Sequence, residues 1–301
     1  MNNILIQLTT NVSKNYFDAI EHQFSVTPIL FSGGEVHVQL PELSDFYTMG
    51  NIKNTYACIK CIIQDSNDLI AVRLVADAIE HLEIKLSSIV IPYLPYARQD
   101  RVCAKGQAFS KEVFRKMFDT YYIETWDIHS EDKSSVSSIG VHNLIQGHTF
   151  LDKVNKQNSI LVSPDKGAMR RVQNVREYCC RRDIGMVVGS KTRNTRTGWI
   201  ESYTLEDNTE DRVDGKDCFI IDDICDGGAT FKILAKSLKD MGAKSVTLFV
   251  THGIFSKGWE SLIDSGIDEV YTTNSLPQSD TFPKDNIIVV DEDFNLIGNK
   301  N

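Results

Sequence analysis

No apolar run in the chain approaches the length of a bilayer-spanning helix, so insertion into a membrane is not expected. The first residues, Met1-Asn2-Asn3-Ile4, lack the basic lead and small-residue cleavage pattern of a signal peptide. Positive charge is in short supply: 32 Lys and Arg stand against 41 Asp and Glu, for a net charge of −9. A general nucleic-acid binder needs a basic face to displace counterions, so no nucleic-acid partner is expected. There is no Walker A sequence, which excludes the P-loop grip on a nucleotide. Seven cysteines are scattered without a paired framework, which fits a reducing, cytoplasmic setting. Cys58-Ile59-Lys60-Cys61 has metal-like spacing, but it falls in a strand-like run where residues three apart face opposite ways, and no second CxxC completes a zinc set.

What the chain does have is an alternation of β-rich runs and amphipathic helices. With 301 residues and 42% apolar content it can fill one or two cores, and two is the expectation. Residues 3–8 and 26–31 read as strands with a short helix over 15–24 between them. Residues 56–63, a helix capped at Ser66-Asn67-Asp68, and residues 88–94 form a βαβ unit. A second helix capped by Ser110 precedes a strand over 123–128. Further strands are expected at 159–162, 184–188, 217–223, 245–250, 269–273 and 287–290, with a helix starting at 168, one after Thr230 carrying Ile233, Leu234, Leu238 and Met241, and another over 256–263. Parallel strands joined by helices imply open α/β sheets, and such sheets bind ligands at the carboxyl ends of their strands.

Chemistry-bearing residues gather at those ends. The stretch Asp222-Asp223-Ile224-Cys225-Asp226-Gly227-Gly228-Ala229-Thr230 reads as strand, turn and helix start: small residues let backbone N–H groups approach a phosphate, and the helix N-terminus favours an anion. Carboxylates beside a phosphate repel it unless they bind hydroxyls or a cation, which points to a phosphorylated sugar. Alone, the stretch fits a solvated glycine-rich turn equally well. Tyr96-Ala97-Arg98-Gln99-Asp100-Arg101 offers guanidinium groups, an amide and a ring to a nucleotide, and Phe31-Ser32-Gly33-Gly34-Glu35 is a turn between strands. Asp127 and His129 are two apart on a strand and are expected to share its face. Asp165, like His129, stands at a strand end, and one imidazole, one carboxylate and substrate phosphates make a typical magnesium set. Residues 189–198 carry Lys191, Arg193 and Arg196 among Gly, Ser, Thr and Asn, and read as a loop that brings cations onto phosphoryl oxygens, or else as a solvated hairpin tip.

In order along the chain, Phe31 to Glu35, Tyr96 to Arg101, Asp127-Ile128-His129, Val162-Ser163-Pro164-Asp165, Lys191-Thr192-Arg193, Asp222 to Thr230 and Thr251-His252-Gly253-Ile254-Phe255 make it resemble the ribose-phosphate diphosphokinase (phosphoribosyl diphosphate synthetase) family. The resemblance implies two similar phosphoribosyltransferase-type α/β domains, each an open, mainly parallel sheet flanked by helices. They are residues 1–144 on the ATP side and 145–301 on the ribose 5-phosphate side, with the active site between them and the last residues against the first domain. It implies ATP binding by Phe31, Gly33, Glu35, Arg98 and Gln99, with the Phe31 ring on adenine. Mg2+ falls to His129 and Asp165, and catalysis to Lys191 and Arg193. Ribose 5-phosphate is held by Arg193, Asp222, Asp223, Asp226, Gly227, Gly228, Ala229 and Thr230. It also implies a cytoplasmic homo-oligomer, dimer or hexamer, that moves the diphosphoryl group of ATP to the C1 hydroxyl of ribose 5-phosphate, for nucleotide or NAD biosynthesis. The rivals are a phosphoribosyltransferase that consumes the diphosphate and a non-catalytic subunit of the same fold. Three departures stand out. Gly33 replaces the Asn or Asp usual in the family, Asp226-Gly227-Gly228-Ala229-Thr230 replaces Asp-Thr-Gly-Gly-Thr, and residues 102–109 lack the basic stretch that serves regulation in many members.

Overall fold

The computed structural model describes residues 4–9, 22–41, 55–130, 139–142, 154, 158–178, 184–193, 200–206, 213–278, 283 and 286–290. The chain divides into two compact units, Met1–His142 and Asn143–Asn301.

Unit 1 is built on strands β1 (Ile4–Thr9), β2 (His22–Val26), β5 (Tyr56–Lys60), β6 (Lys85–Val90), β7 (Ile123–Trp126) and β8 (Ile139–His142). They form one sheet in the order β2-β1-β5-β6-β7-β8. β1 runs antiparallel to β2 and β5, whereas β5 to β8 are parallel. Parallel neighbours need a crossover, and α1 (Ser66–His81) supplies it between β5 and β6. Leu69, Val72, Val75, Ala76 and Ile79 recur at helical spacing and are buried with Ile59, Ile89 and Phe114 in one core. The helix starts one residue before the expected cap: Asp65 Oδ1 accepts from the backbone N–H of Asn67 at 2.8 Å and of Asp68 at 3.0 Å. Such a cap contributes about 1 kcal/mol. α2 (Ser110–Met117) likewise departs from expectation, because Phe109 is its N-cap and no side chain bonds there. β3 (Ile29–Leu30) and β4 (Val36–His37) form a separate antiparallel hairpin.

Two other expectations need correction in this unit. Residues 22–24 belong to β2, so the helix expected over 15–24 does not hold there, and residues 10–21 lie outside the described ones. β7 ends at Trp126, and Asp127 follows with φ 32°, so Asp127 and His129 do not share a strand face: Asp127 is buried and His129 exposed.

Unit 2 carries a seven-stranded sheet in the order β11-β10-β9-β12-β13-β14-β15. Its strands are β9 (Ser159–Ser163), β10 (Gly185–Arg193), β11 (Ile200–Glu206), β12 (Asp217–Cys225), β13 (Ser245–Gly253), β14 (Glu269–Thr273) and β15 (Ile287–Val290). All neighbours are parallel except β10 and β11. The central strands are apolar on both faces, as covering by helices requires, and Ile160, Val162, Ile220, Val246, Leu248 and Val250 are buried. Helices are α3 (Met169–Tyr178), α4 (Ala229–Asp240) and the single turn α5 (Glu260–Ile263). The helix expected over 256–263 is therefore cut to its last residues, because 254–258 form a tight turn instead.

The segment read as a loop from 189 is strand as far as Arg193, paired with β11 from Val188↔Glu206 to Arg193↔Ile200 and with a register shift between Thr192 and Arg193. Residues 194–199 lie outside the described ones, as do the last residues 291–301 that were expected against the first domain. Among the described residues no helix is long and apolar enough to cross a membrane.

Candidate functional site

In unit 2 the carboxyl ends of β9, β12 and β13 are adjacent, and the loops that leave them carry most of the expected site. β12 does not stop at its two carboxylates but continues to Cys225. Asp222 and Asp223 are therefore strand residues that point to alternate sides, yet one guanidinium reaches both. Arg171 Nη1 donates to Asp222 Oδ1 at 2.8 Å and lies 3.3 Å from Asp223 Oδ1. The side chains are 18% exposed for Arg171 and Asp222 and 3% for Asp223, so the cluster is mostly shielded from water. Burial and the Asp223 charge push the Asp222 carboxyl well above the ordinary carboxylate range, and Arg171 opposes the shift. Arg171 was not among the residues expected from the sequence. The only hint there is an arginine one turn into α3, and its partner lies 51 residues away.

Beyond Cys225 the backbone turns through Asp226 and Gly227 into α4. Gly228 is the N-cap with φ 71°, a left-handed conformation that suits glycine, and a Cβ there would meet Leu262 Cδ2 at 2.7 Å. Gly228 has no side chain with which to cap the helix, and a helix N-terminus favours an anion. The turn after β13 is stitched to the same place. Ile254 and Phe255 both donate their N–H to Cys225 O, at 2.8 and 3.1 Å, and Ser256 Oγ donates to Asp226 Oδ1 at 2.5 Å. A Cβ at Gly227 would stand at ordinary van der Waals distance from Lys257 Cγ, 3.4 Å, so the lysine stem packs beside this glycine.

Asp165 follows β9. Its Oδ1 accepts from Gly167 N at 2.8 Å and Ala168 N at 3.1 Å, which orients the carboxylate at the start of α3. Lys191 and Arg193 lie on β10 beyond Val188, the last residue paired with β9, and so past the carboxyl edge of the parallel sheet.

In unit 1 the turn after β6 and the end of β7 carry the expected residues. Gln99 donates its N–H to Tyr96 O at 2.9 Å, and Lys111 N–H reaches Gln99 O at 3.3 Å. The Lys111 ammonium, on a residue only 7% exposed, donates to Ser130 O and Oγ at 3.2 Å each. Lys111 thereby ties the turn holding Arg98 and Gln99 to the segment holding His129, a link the sequence did not reveal. Arg98, Gln99 and His129 are exposed. On the β3–β4 hairpin Phe31 is 52% exposed and stacks on His37 at 6.0 Å between centroids. Gly33 has its space taken too, because Glu35 Oε2 lies 2.5 Å from where its Cβ would be. Tyr96, Asp127 and Phe255 sit at positive φ, three of the four such non-glycine residues among those described, and all three lie in loops leaving parallel strands. Strain of this kind costs about 1–3 kcal/mol per residue and collects at functional sites.

Among the described residues no three His, Cys, Asp or Glu side chains gather as a metal cage. His129 belongs to unit 1 and Asp165 to unit 2.

The comparisons with known proteins bear on the family and the fold. The phosphoribosyl synthetase-associated domain matches residues 208–293. A ribose-phosphate pyrophosphokinase of Pyrococcus abyssi is 32% identical over 222 residues, which is 71% of this chain and 73% of the relative. That of Helicobacter hepaticus is 31% identical over 268 residues, 86% of this chain and 82% of the relative. The crystal structure of phosphoribosylpyrophosphate synthetase from Mycobacterium smegmatis matches with a TM-score of 0.74 at 22% identity, over 88% of this chain and 85% of that one. The fold is therefore of the phosphoribosyltransferase type, with parallel-rich sheets flanked by helices. At the level of sequence the chain belongs to the ribose-phosphate pyrophosphokinase family and is an enzyme.

Proposed function

We propose that the protein transfers the diphosphoryl group of ATP to ribose 5-phosphate, giving 5-phosphoribosyl 1-diphosphate and AMP. The C1 hydroxyl oxygen attacks the β-phosphorus. A new O–P bond forms as the bond from the β-phosphorus to the α–β bridging oxygen breaks, and that oxygen leaves with AMP. The observation that carries this reading is the run from Asp222 to Thr230 in a chain of this family: two carboxylates held by Arg171, then a turn into a helix whose N-cap is a glycine. Hydroxyls of a sugar suit the first and its phosphate the second.

Under this reading unit 1 serves ATP and unit 2 the sugar phosphate. Phe31 offers its exposed ring to adenine, while Glu35, Arg98 and Gln99 bind the remainder of the nucleotide. Lys191 and Arg193 neutralise charge that builds on the transferred group and the leaving AMP. No covalent nucleophile is required, because such transfers rest on positioning and electrostatics. His129 and Asp165 are the residues that would hold Mg2+, which when bound offsets negative charge on the ATP phosphates. Assembly as a dimer or hexamer belongs to the same proposal.

The test is a product assay with pure protein, ATP, ribose 5-phosphate and Mg2+. Equimolar AMP and phosphoribosyl diphosphate are expected. Their absence with folded protein overturns the reading, and diphosphate release from phosphoribosyl diphosphate plus a base would favour a phosphoribosyltransferase instead. Repeating the assay with several nucleoside triphosphates measures donor choice at Gly33.

A further inference from the structure

Residues 226–230 carry a hydroxyl only at Thr230, and the Lys257 stem lies beside Gly227. We propose that Lys257 is a phosphate-binding and specificity-determining residue for the sugar phosphate, its ammonium serving the anion that residue 227 has no side chain to hold. The proposal deepens the reading above and rests on the sugar phosphate docking at residues 226–230.

Three observations carry it. First, the Lys257 stem lies across Gly227, with Cγ 3.4 Å from the position of an absent Cβ. That is ordinary van der Waals spacing, so the lysine stem packs alongside the loop at residue 227. Second, Lys257 does not sit on a wandering loop. Ile254 and Phe255 donate to Cys225 O, Ser256 Oγ donates to Asp226 Oδ1, and Gly258 N closes the turn on Phe255 O at 2.9 Å. The residues on both sides of Lys257 are thereby fixed against the phosphate loop, which lowers the entropy lost when its side chain engages a ligand. Third, Lys257 is exposed and has no hydrogen bond or ion pair to a described residue. A lysine with an apolar stem packed on backbone and a charged head left over is arranged to meet an anion.

The nearby lysine of α4 is differently placed. Lys232 donates to Ser261 Oγ at 3.3 Å and is thus directed to the following turn. Asp226 brings a negative charge close to the loop, and Ser256 engages one of its oxygens, so a cation beside Gly227 also reduces repulsion between Asp226 and a bound phosphate.

The experiment compares wild type with Lys257→Met, which keeps the packed stem and removes the charge, and with Lys257→Arg, which keeps the charge. Calorimetry measures binding of ribose 5-phosphate and of unphosphorylated ribose, and steady-state assays give KM for each substrate. Lys257→Met is expected to weaken ribose 5-phosphate binding about tenfold to hundredfold, with ribose binding and the KM for ATP unchanged. Lys257→Arg is expected to stay within about threefold of wild type. Unchanged discrimination between ribose 5-phosphate and ribose in Lys257→Met overturns the proposal, as does an equal loss in both variants, which would assign the effect to the stem. The two readings fail separately. Charge-dependent sugar-phosphate binding without AMP formation sinks the proposed reaction and keeps Lys257, whereas full activity in Lys257→Met does the reverse.

Discussion

The residues assigned to the sugar phosphate and those assigned to the nucleotide are built to different stiffness. In unit 2 the carboxylate pair is mostly buried and held by Arg171, and the turn through Cys225 and Asp226 is bonded to the one after β13. In unit 1 Phe31 and Glu35 stand exposed on a two-residue-per-strand hairpin, and Arg98 and Gln99 are exposed on a turn that Lys111 joins to Ser130. A side that is fixed before binding loses little conformational entropy to its ligand, whereas exposed side chains must be ordered at about 0.5–1.5 kcal/mol each. The sugar-phosphate half is therefore expected to behave as a preformed socket and the nucleotide half as one completed by its ligand.

The largest effect tests what both halves serve. Lys191→Ala is expected to lower kcat by about 100- to 1000-fold with both KM values little changed. A change confined to KM would place Lys191 in binding rather than transfer. Next comes the socket itself. Arg171→Met leaves two buried carboxylates without their cation, and the KM for ribose 5-phosphate should rise by about tenfold or more while that for ATP stays put. The same change has a pH signature. Asp222 in the folded protein already holds its proton above the ordinary carboxylate range, and loss of Arg171 raises it further. The acid limb of kcat/KM for ribose 5-phosphate should then move to higher pH, because more base is needed to ionise the pair. For stability the sign is the opposite of a salt-bridged aspartate. Between the unfolded and the raised folded pKa the native state binds more protons, so stability falls as pH rises through that window. A variant whose acid limb stays in place would break the idea that Arg171 sets this charge.

The nucleotide half should yield smaller numbers. Phe31→Ala is expected to raise the KM for ATP by about five- to tenfold with the sugar-phosphate KM unchanged. The smallest effect is chemical. Cys61, Cys218 and Cys225 are buried, and burial pushes the Cys218 and Cys225 thiols up to about 12 and Cys61 higher still. Among the described cysteines only exposed Cys103, in the segment after Arg101, should react quickly with an alkylating agent in the native state, and ribose 5-phosphate binding should survive the labelling. Rapid labelling of Cys225 would show that the phosphate loop opens and would contradict the preformed socket.

Much of the fold was legible in the residues because its central strands are strong local signals. Residues 269–273 and 287–290 form β14 and β15 as expected, and the apolar run from 217 forms β12. Residues 189–198 left a loop and a hairpin both open because Ser190, Lys191 and Thr192 carry no apolar periodicity, and the antiparallel pairing as far as Arg193 favours the hairpin. Ser190, Lys191 and Thr192 are strand only because β11 pairs with them. The helix caps went astray by one residue at Asp65 and Phe109, where several polar residues compete and backbone geometry chooses. The order of motifs along the chain, and the chemistry each can perform, were set by the amino-acid sequence alone, since strand propensity, turn residues and charge are local properties. Which cation neutralises Asp222 and Asp223, what fills the space above Gly33 and lies beside Gly227, and how Lys111 joins two loops were decided only by the tertiary structure. Each joins side chains that folding alone can bring together, or depends on a rotamer, such as that of Glu35 over Gly33, that a one-dimensional pattern does not encode.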